Sequence, residues 1–175
     1  TYTINEKMLG RVEEIVNFAL NDGMYVIIND HFDYGWWGKF GACTEDANGN
    51  KIADETTRAE ALKRYERYWE QISERFKGYS DHLIFESANE EFGNHINDYN
   101  LGFNTAVNGV TGNLTVAECY TLTNKLNQDF VDIVRKSKIN TSLLPRYSLS
   151  CFDGRMRIEF LILSKFIILC LHHIF

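Results

Sequence analysis

Residues 83–91 read LIFESANEE, a short apolar run that leads directly into an Asn-Glu pair. Strands that are buried on both faces of a parallel sheet have such continuous apolar runs, whereas a strand with one wet face alternates. Functional groups of parallel α/β sheets lie at the C-terminal ends of the strands. The stretch therefore predicts a buried parallel strand with Asn89 and Glu90 at its functional end.

A second segment of the same design lies upstream. Residues 24–29 read MYVIIN and are followed by His31 and by two adjacent tryptophans, Trp36 and Trp37. Aromatic faces suit the C–H face of a pyranose ring, and carboxylates and amides bind its hydroxyl groups. This combination suggests a sugar-binding site at the end of the strand.

Apolar stripes with helical spacing flank the two strands. The first covers residues 7–20 and is ended by Gly23, and two more run to Gly78 and to about Ser137. The last two begin with capping-box patterns, Thr57 with Glu60 and Thr115 with Glu118. The order strand, helix, strand predicts a crossover connection between the two strands. Residues 24–29 and 83–88 are therefore predicted to be parallel neighbours in one sheet.

Long segments follow each strand. Residues 30–55 and 92–114 are rich in Gly, Asn and Asp and are predicted to be loops at the functional edge of the sheet. The sequence thus predicts an α/β fold with a parallel sheet. A (β/α)8 barrel needs about 250 residues, and this chain of 175 residues is predicted to hold part of one.

Composition excludes more than it reveals. The formal charge of −6 gives no reason to bind nucleic acid or an anionic membrane. The four cysteines are widely spaced, without the grouping of a zinc site, and are interpreted as free thiols: Cys43, Cys119, Cys151 and Cys170. No cofactor or metal is implied.

Five motifs occur in one order along the chain: MLGRVEEIV from Met8, GMYVIIN from Gly23, YGWWG from Tyr34, YWEQISERF from Tyr68 and LIFESANE from Leu83. Over about residues 1–137 they resemble glycoside hydrolase family 5, the cellulase-type retaining β-glycanases. One departure is Glu91, where the family usually has proline. The resemblance implies an α/β fold, a partial (β/α)8 TIM barrel holding roughly the third and fourth β/α units.

The resemblance also implies roles for individual residues. Glu90 corresponds to the acid/base of a retaining mechanism, and Asn89 to the residue that binds the sugar 2-hydroxyl. His31 corresponds to a histidine that lines the same pocket, and Trp36 and Trp37 are candidates for stacking on glucosyl units. Each has a structural alternative: a solvated loop glutamate, a strand-end cap, a core histidine, and burial of one of the two tryptophans.

Two other glutamates are weighed against Glu90. Glu86 lies within the strand and is predicted to be a buried, hydrogen-bonded structural carboxylate. The family's nucleophile is a glutamate on the seventh strand, beyond the matching residues. Glu159 is the only glutamate after Glu118, and its setting lacks the family's pattern, so the nucleophile is left unassigned.

The resemblance defines two regions, a partial barrel domain at 1–137 and a divergent tail at 138–175. Residues 160–171 are apolar but are interrupted by Lys165. This segment is too short for a membrane span, which needs about 20 residues. We interpret the tail as the product of a shifted reading frame or an assembly artefact. A buried strand or helix, and a membrane anchor, are the alternatives.

The resulting functional expectation is a retaining endo-β-1,4-glucanase that hydrolyses β-glucan polysaccharide such as cellulose or mixed-linkage glucan. The alternative is a catalytically inactive fragment that binds carbohydrate, and a membrane-associated protein is a third. Residues 1–5 lead into a helix with no signal-peptide pattern. We expect that a signal peptide has been removed or that the chain begins mid-protein, and we favour the second. The resemblance implies a secreted or extracellular parent enzyme.

Overall fold

A computed structural model of the chain describes residues 2–30, 36–99, 112–137, 142–144 and 166–171. Its three α-helices are α1 (Glu6–Asn21), α2 (Glu55–Arg75) and α3 (Val116–Lys136). Its strands are β1 (Tyr25–Asp30), β2 (Cys43–Glu45), β3 (Lys51–Ala53), β4 (Leu83–Glu86), β5 (Ser142–Leu144) and β6 (Phe166–Leu171). Two short 3₁₀ segments span Trp36–Gly41 and Gly93–Asn97.

The main sheet has four parallel strands in the order β5-β4-β1-β6. β1 and β4 pair in parallel from Val26 opposite Leu83 to Asn29 opposite Glu86. The prediction of parallel neighbours is confirmed. Helix α2 connects β1 to β4, and α3 connects β4 to β5, so the chain contains two successive β/α units.

An aromatic cluster joins the sheet to the helices. The ring of Trp69 in α2 lies 5.9 Å from Phe85 in β4 and 4.6 Å from Phe130 in α3, measured between centroids. All three rings are fully buried. Since aromatic side chains bury large apolar areas, this contact fixes α2 and α3 against β4 and so fixes the strand end that follows.

The predicted helix boundaries are right for α1 and α3 and wrong for α2. Gly23, with a φ of +73°, follows α1, and Thr115 and Glu118 form the predicted capping box. The N-cap of α2 is Asp54 and not Thr57, because the Asp54 carboxylate accepts from the backbone N (3.0 Å) and hydroxyl (2.7 Å) of Thr57. Thr57 therefore lies in the first turn of the helix.

The segment after β1 contains structure that the sequence did not predict. β2 and β3 form an antiparallel hairpin. The Asp46 carboxylate accepts from the backbone N of Asn48 (2.8 Å) and of Asn50 (2.9 Å), and Gly49 takes a φ of +79°. Strands of three mostly exposed residues carry too few apolar positions for a pattern to show.

Two segments of the predicted tail belong to the sheet. β5 pairs with β4, and β6 pairs with β1. For residues 166–171 the structure therefore gives a strand, one of the alternatives considered for the tail; the reading-frame interpretation stays a prediction. Within the described parts of the chain, no helix has the length and apolar character needed to cross a membrane.

Candidate functional site

The C-terminal ends of β1 and β4 meet at one edge of the sheet. The backbone N–H of Asn89 donates to the carbonyl of Asp30 at 3.1 Å, which ties the residues after β4 to the last residue of β1. Asn89 is half-buried and the Glu90 side chain is exposed, whereas Glu91 is buried. The predicted pair therefore lies at a strand end with Glu90 accessible from solvent.

A buried polar pair lies beneath this edge. The side-chain amide of Asn29 donates to a carboxylate oxygen of Glu86 at 2.6 Å, across the last register position shared by β1 and β4. The two residues are 1% and 3% exposed. The prediction that Glu86 is a buried, hydrogen-bonded carboxylate is confirmed, and its partner is the residue that precedes Asp30.

Helix α3 holds both ends of the loop that carries Asn89 and Glu90. The hydroxyl of Ser87 donates to the Asn127 side-chain oxygen at 2.7 Å, and the N–H of Gly93 donates to the Thr123 hydroxyl at 2.9 Å. Thr123 and Asn127 are four residues apart on one helical face. This two-point clamp of Thr123 and Asn127 positions the loop from residue 87 to residue 93.

The clamp predicts a measurable loss of stability. Thr123→Val removes the hydroxyl that accepts from the buried N–H of Gly93, and an unsatisfied buried N–H costs about 1–3 kcal/mol. Urea denaturation should show a lower free energy of unfolding for this variant. Thr123→Ser, which keeps the hydroxyl, is the control and should cost less. Equal stability of the two variants would show that the hydrogen bond contributes nothing.

The two tryptophans are both buried, at 6% (Trp36) and 3% (Trp37) exposure. The Trp36 ring lies 5.8 Å from that of Phe40, and the Arg64 guanidinium lies 4.8 Å from its centroid. One tryptophan of the pair was expected to be buried in the core, and the structure buries both. Stacking on sugar stays a prediction, and it would require one ring to become uncovered.

Several predicted positions fall outside the described residues. These are His31, Tyr34, Cys151 and Glu159. His31 immediately follows Asp30, and its predicted role in the pocket stays a prediction. Of the cysteines, Cys119 is buried and carries a free thiol, as expected. Within the described ranges, no group of three or more His, Cys, Asp or Glu side chains is arranged to hold a metal ion.

Asn97 closes the loop after β4 with hydrogen bonds and packs against Gly41 in the loop after β1. Its side-chain amide donates to the Leu114 carbonyl at 2.7 Å, and its side-chain oxygen accepts from the Leu114 N–H at 3.0 Å. An added Cβ at Gly41 or Gly112 would come within 2.6 Å or less of this same Asn97 oxygen. The close packing holds the two loops as one unit around the edge that carries Glu90.

His95 adds a titrating group to this loop. Its Nδ1 lies 2.7 Å from an Asp98 carboxylate oxygen. This hydrogen bond raises the pKa of His95; burial opposes the rise, and the charges of Asp98, Glu91 and Glu90 reinforce it. The charges of Glu90 and Glu91 thus act on the same imidazole.

A pH dependence follows from this pair. Because the folded-state pKa of His95 is raised, the pair contributes stability fully below the unfolded pKa of about 6.5. The contribution is lost as the pH rises through the folded value. NMR titration should give an imidazole pKa above that of an exposed histidine, and Asp98→Asn should return it toward about 6.5. An unchanged pKa in Asp98→Asn would contradict the assignment.

The sequence did not identify Asn29, Thr123, Asn127 or Asn97 as part of the site. Thr123 and Asn127 lie on the buried face of α3, between Cys119, Leu126 and Phe130. Polar residues within an otherwise apolar helical stripe need hydrogen-bond partners. The sequence therefore indicated that Thr123 and Asn127 need hydrogen-bond partners, but it did not indicate that these are Gly93 and Ser87.

Comparison with known proteins identifies the same family that the sequence motifs resemble. The family model described as Cellulase (glycosyl hydrolase family 5) matches residues 1–145. This extends the predicted resemblance from residue 137 through β5. Endoglucanase A of Paenibacillus barcinonensis is 35% identical over 143 residues, which cover 81% of this chain and 29% of that protein. Endoglucanase H of Acetivibrio thermocellus is 44% identical over 93 residues, which cover 53% of this chain and 8% of that protein.

Solved structures of the same type align with the chain. A family 5 xyloglucanase from Paenibacillus pabuli matches with 34% identity and a TM-score of 0.51, covering 79% of this chain and 32% of that one. A family 5 lichenase from Caldicellulosiruptor, in complex with cellotetraose, matches with 29% identity and a TM-score of 0.54. The alignment covers 81% of this chain and 34% of that one. The chain thus spans about a third or less of the length of these relatives.

Proposed function

Because the chain belongs to glycosyl hydrolase family 5, we propose that it supplies the acid/base half of a retaining β-glucanase site. The family implies a (β/α)8 barrel, and the two β/α units of this chain are proposed to be its third and fourth. Glu90 is proposed as the acid/base, with Asn89 beside it on the sugar 2-hydroxyl. The observation that carries the proposal is the Asn89–Asp30 hydrogen bond, which ties the Asn-Glu pair to the adjoining strand end.

The chemistry needs two carboxyl groups about 5–5.5 Å apart. Glu90 would protonate the leaving glycosidic oxygen and then take a proton from the attacking water. A second carboxylate, on another strand of the complete barrel, would attack the anomeric carbon. The exposure of Glu90 supports access to a polymer, and the buried Asn29–Glu86 pair supports a structural role for Glu86.

The proposed substrate is a β-1,4-linked glucan. The relatives include proteins named as endoglucanases, xyloglucanases and a lichenase. We infer that the enzyme acts outside the cell, since a glucan polymer must be cut before uptake. No nucleic acid or membrane partner enters this proposal.

A chimera tests the proposal. Residues 1–145 of this chain replace the matching segment of endoglucanase A from Paenibacillus barcinonensis, which supplies the remaining strands. Release of reducing ends is then measured on carboxymethyl cellulose, mixed-linkage glucan and xyloglucan. The expected result is hydrolysis of at least one glucan. A folded chimera that binds cello-oligosaccharides and cuts none of the three would favour the carbohydrate-binding alternative instead.

A further inference from the structure

Strand β1 has a parallel neighbour on each side. β4 lies on one side and follows β1 after one helix. β6 lies on the other side and pairs over six residues, from Tyr25 opposite Phe166 to Asp30 opposite Leu171. In a closed (β/α)8 barrel, successive strands are neighbours, so β1 would lie between the strand that precedes it and β4. β6 therefore lies where the preceding barrel strand belongs.

The segment is chemically suited to that position. Residues 166–171 read FIILCL and carry no charge, and Lys165 immediately precedes them. Leu169 is 8% exposed and belongs to the same core as Ile28, its register partner, which is fully buried. Strands of a parallel sheet that is covered on both faces have this uninterrupted apolar composition.

We propose that Phe166–Leu171 is a self-capping strand, which covers the β1 edge in the position of the barrel strand that precedes β1. An uncovered β1 would present unpaired N–H and C=O groups beside an apolar surface, which is a template for pairing with other chains. The tail strand removes that edge within one molecule. The proposal concerns the 175-residue chain; in the complete barrel of the proposed function, another strand would take this position.

The hydrogen-bond ladder makes the proposal testable residue by residue. The Val26 N–H donates to the His82 carbonyl at 2.9 Å, on the β4 side. Successive N–H groups of a strand point to opposite sides. The N–H groups of Ile27 and Asn29 therefore point toward β6, and those of Val26 and Ile28 toward β4.

The same alternation defines a matched pair of variants in β6. With Ile27 opposite Ile168, the N–H of Ile167 points toward β1, whereas the N–H of Ile168 points away. Proline at position 167 removes a ladder donor. Proline at position 168 removes an N–H that faces away from β1, where proline is tolerated on an edge strand.

The experiment is residue-resolved amide hydrogen exchange by NMR on the full chain, comparing Ile167→Pro with Ile168→Pro. Ile167→Pro should accelerate exchange at Ile27 and Asn29 by about tenfold or more, while Val26 and Ile28 stay protected by β4. Ile168→Pro should leave all four amides unchanged. Unfolding of the whole chain by Ile167→Pro would also support the proposal, provided that Ile167→Ala, which truncates the same side chain but keeps the N–H, leaves the chain folded.

Two results would overturn the proposal. The first is an unchanged exchange rate at Ile27 and Asn29 in Ile167→Pro, or equal effects of the two prolines. The second is a dimeric mass of the unsubstituted chain in sedimentation that becomes monomeric in Ile167→Pro, because the strand on β1 would then come from a second copy.

Discussion

Glu90→Gln is expected to lower glucan turnover by the chimera about 10²–10⁴-fold, the range that general acid–base assistance contributes. Glutamine keeps the size of the side chain and its hydrogen-bonding capacity but cannot deliver or accept the proton. Binding of cello-oligosaccharides should change little, because the loop is held through Ser87 and Gly93 and not through the Glu90 carboxyl.

Glu86→Gln is the matched control for this prediction. It makes the same chemical change four residues earlier in the chain, at the last residue of β4, where the carboxylate is buried and accepts a hydrogen bond from Asn29. Its effect should appear in the free energy of unfolding more than in kcat per folded molecule. If Glu86→Gln lowers kcat as much as Glu90→Gln with stability unchanged, the assignment of Glu90 is wrong.

The second large effect concerns the 175-residue chain alone, which is expected to show no Glu90-dependent turnover. A retaining mechanism needs a nucleophilic carboxylate about 5–5.5 Å from the acid/base. The resemblance places that residue on the seventh strand of the barrel, beyond residues 1–145 that match the family. Without it, no glycosyl-enzyme intermediate forms by the family's route.

The measurement is reducing-end release by the purified chain on carboxymethyl cellulose and mixed-linkage glucan, with Glu90→Ala as the control. The expected rates of the two proteins are equal and at background. Robust turnover that disappears in Glu90→Ala would contradict the prediction. The nucleophile would then have to come from this chain, Glu159 being the first position to substitute, or from a second copy.

The sequence predicted the features that depend on local pattern. β1 and β4 have continuous apolar runs because they are buried in a parallel sheet, and the run before Asn89-Glu90 predicted that this pair follows the end of a strand. The side chains of Thr115 and Glu118 accept from each other's backbone N–H groups within one turn, so the start of α3 needed no tertiary information. The prediction placed the N-cap of α2 at Thr57, but Asp54 is the N-cap, because its side chain accepts from the backbone N–H of Thr57.

The features that were missed depend on contacts between distant segments. Thr123 meets Gly93, and Asn97 meets Leu114, only once helices and loops have packed. The burial of both tryptophans was also not predicted, since the sequence gives no sign of the Phe40 and Arg64 side chains around Trp36. β6 was not favoured, since a strand that pairs with a partner so far away in the chain has no local signature beyond its apolar composition.

The central claim is that Glu90 is the proton donor at the end of β4. The most direct test compares the glycosylation step of the chimera and its Glu90→Gln variant on two cellobiosides, one with a dinitrophenol leaving group and one with an unactivated alcohol. A leaving group that departs as a stable anion needs no proton. The claim predicts a large loss on the unactivated substrate and a small loss on the activated one. Equal losses at this step on both substrates would contradict it.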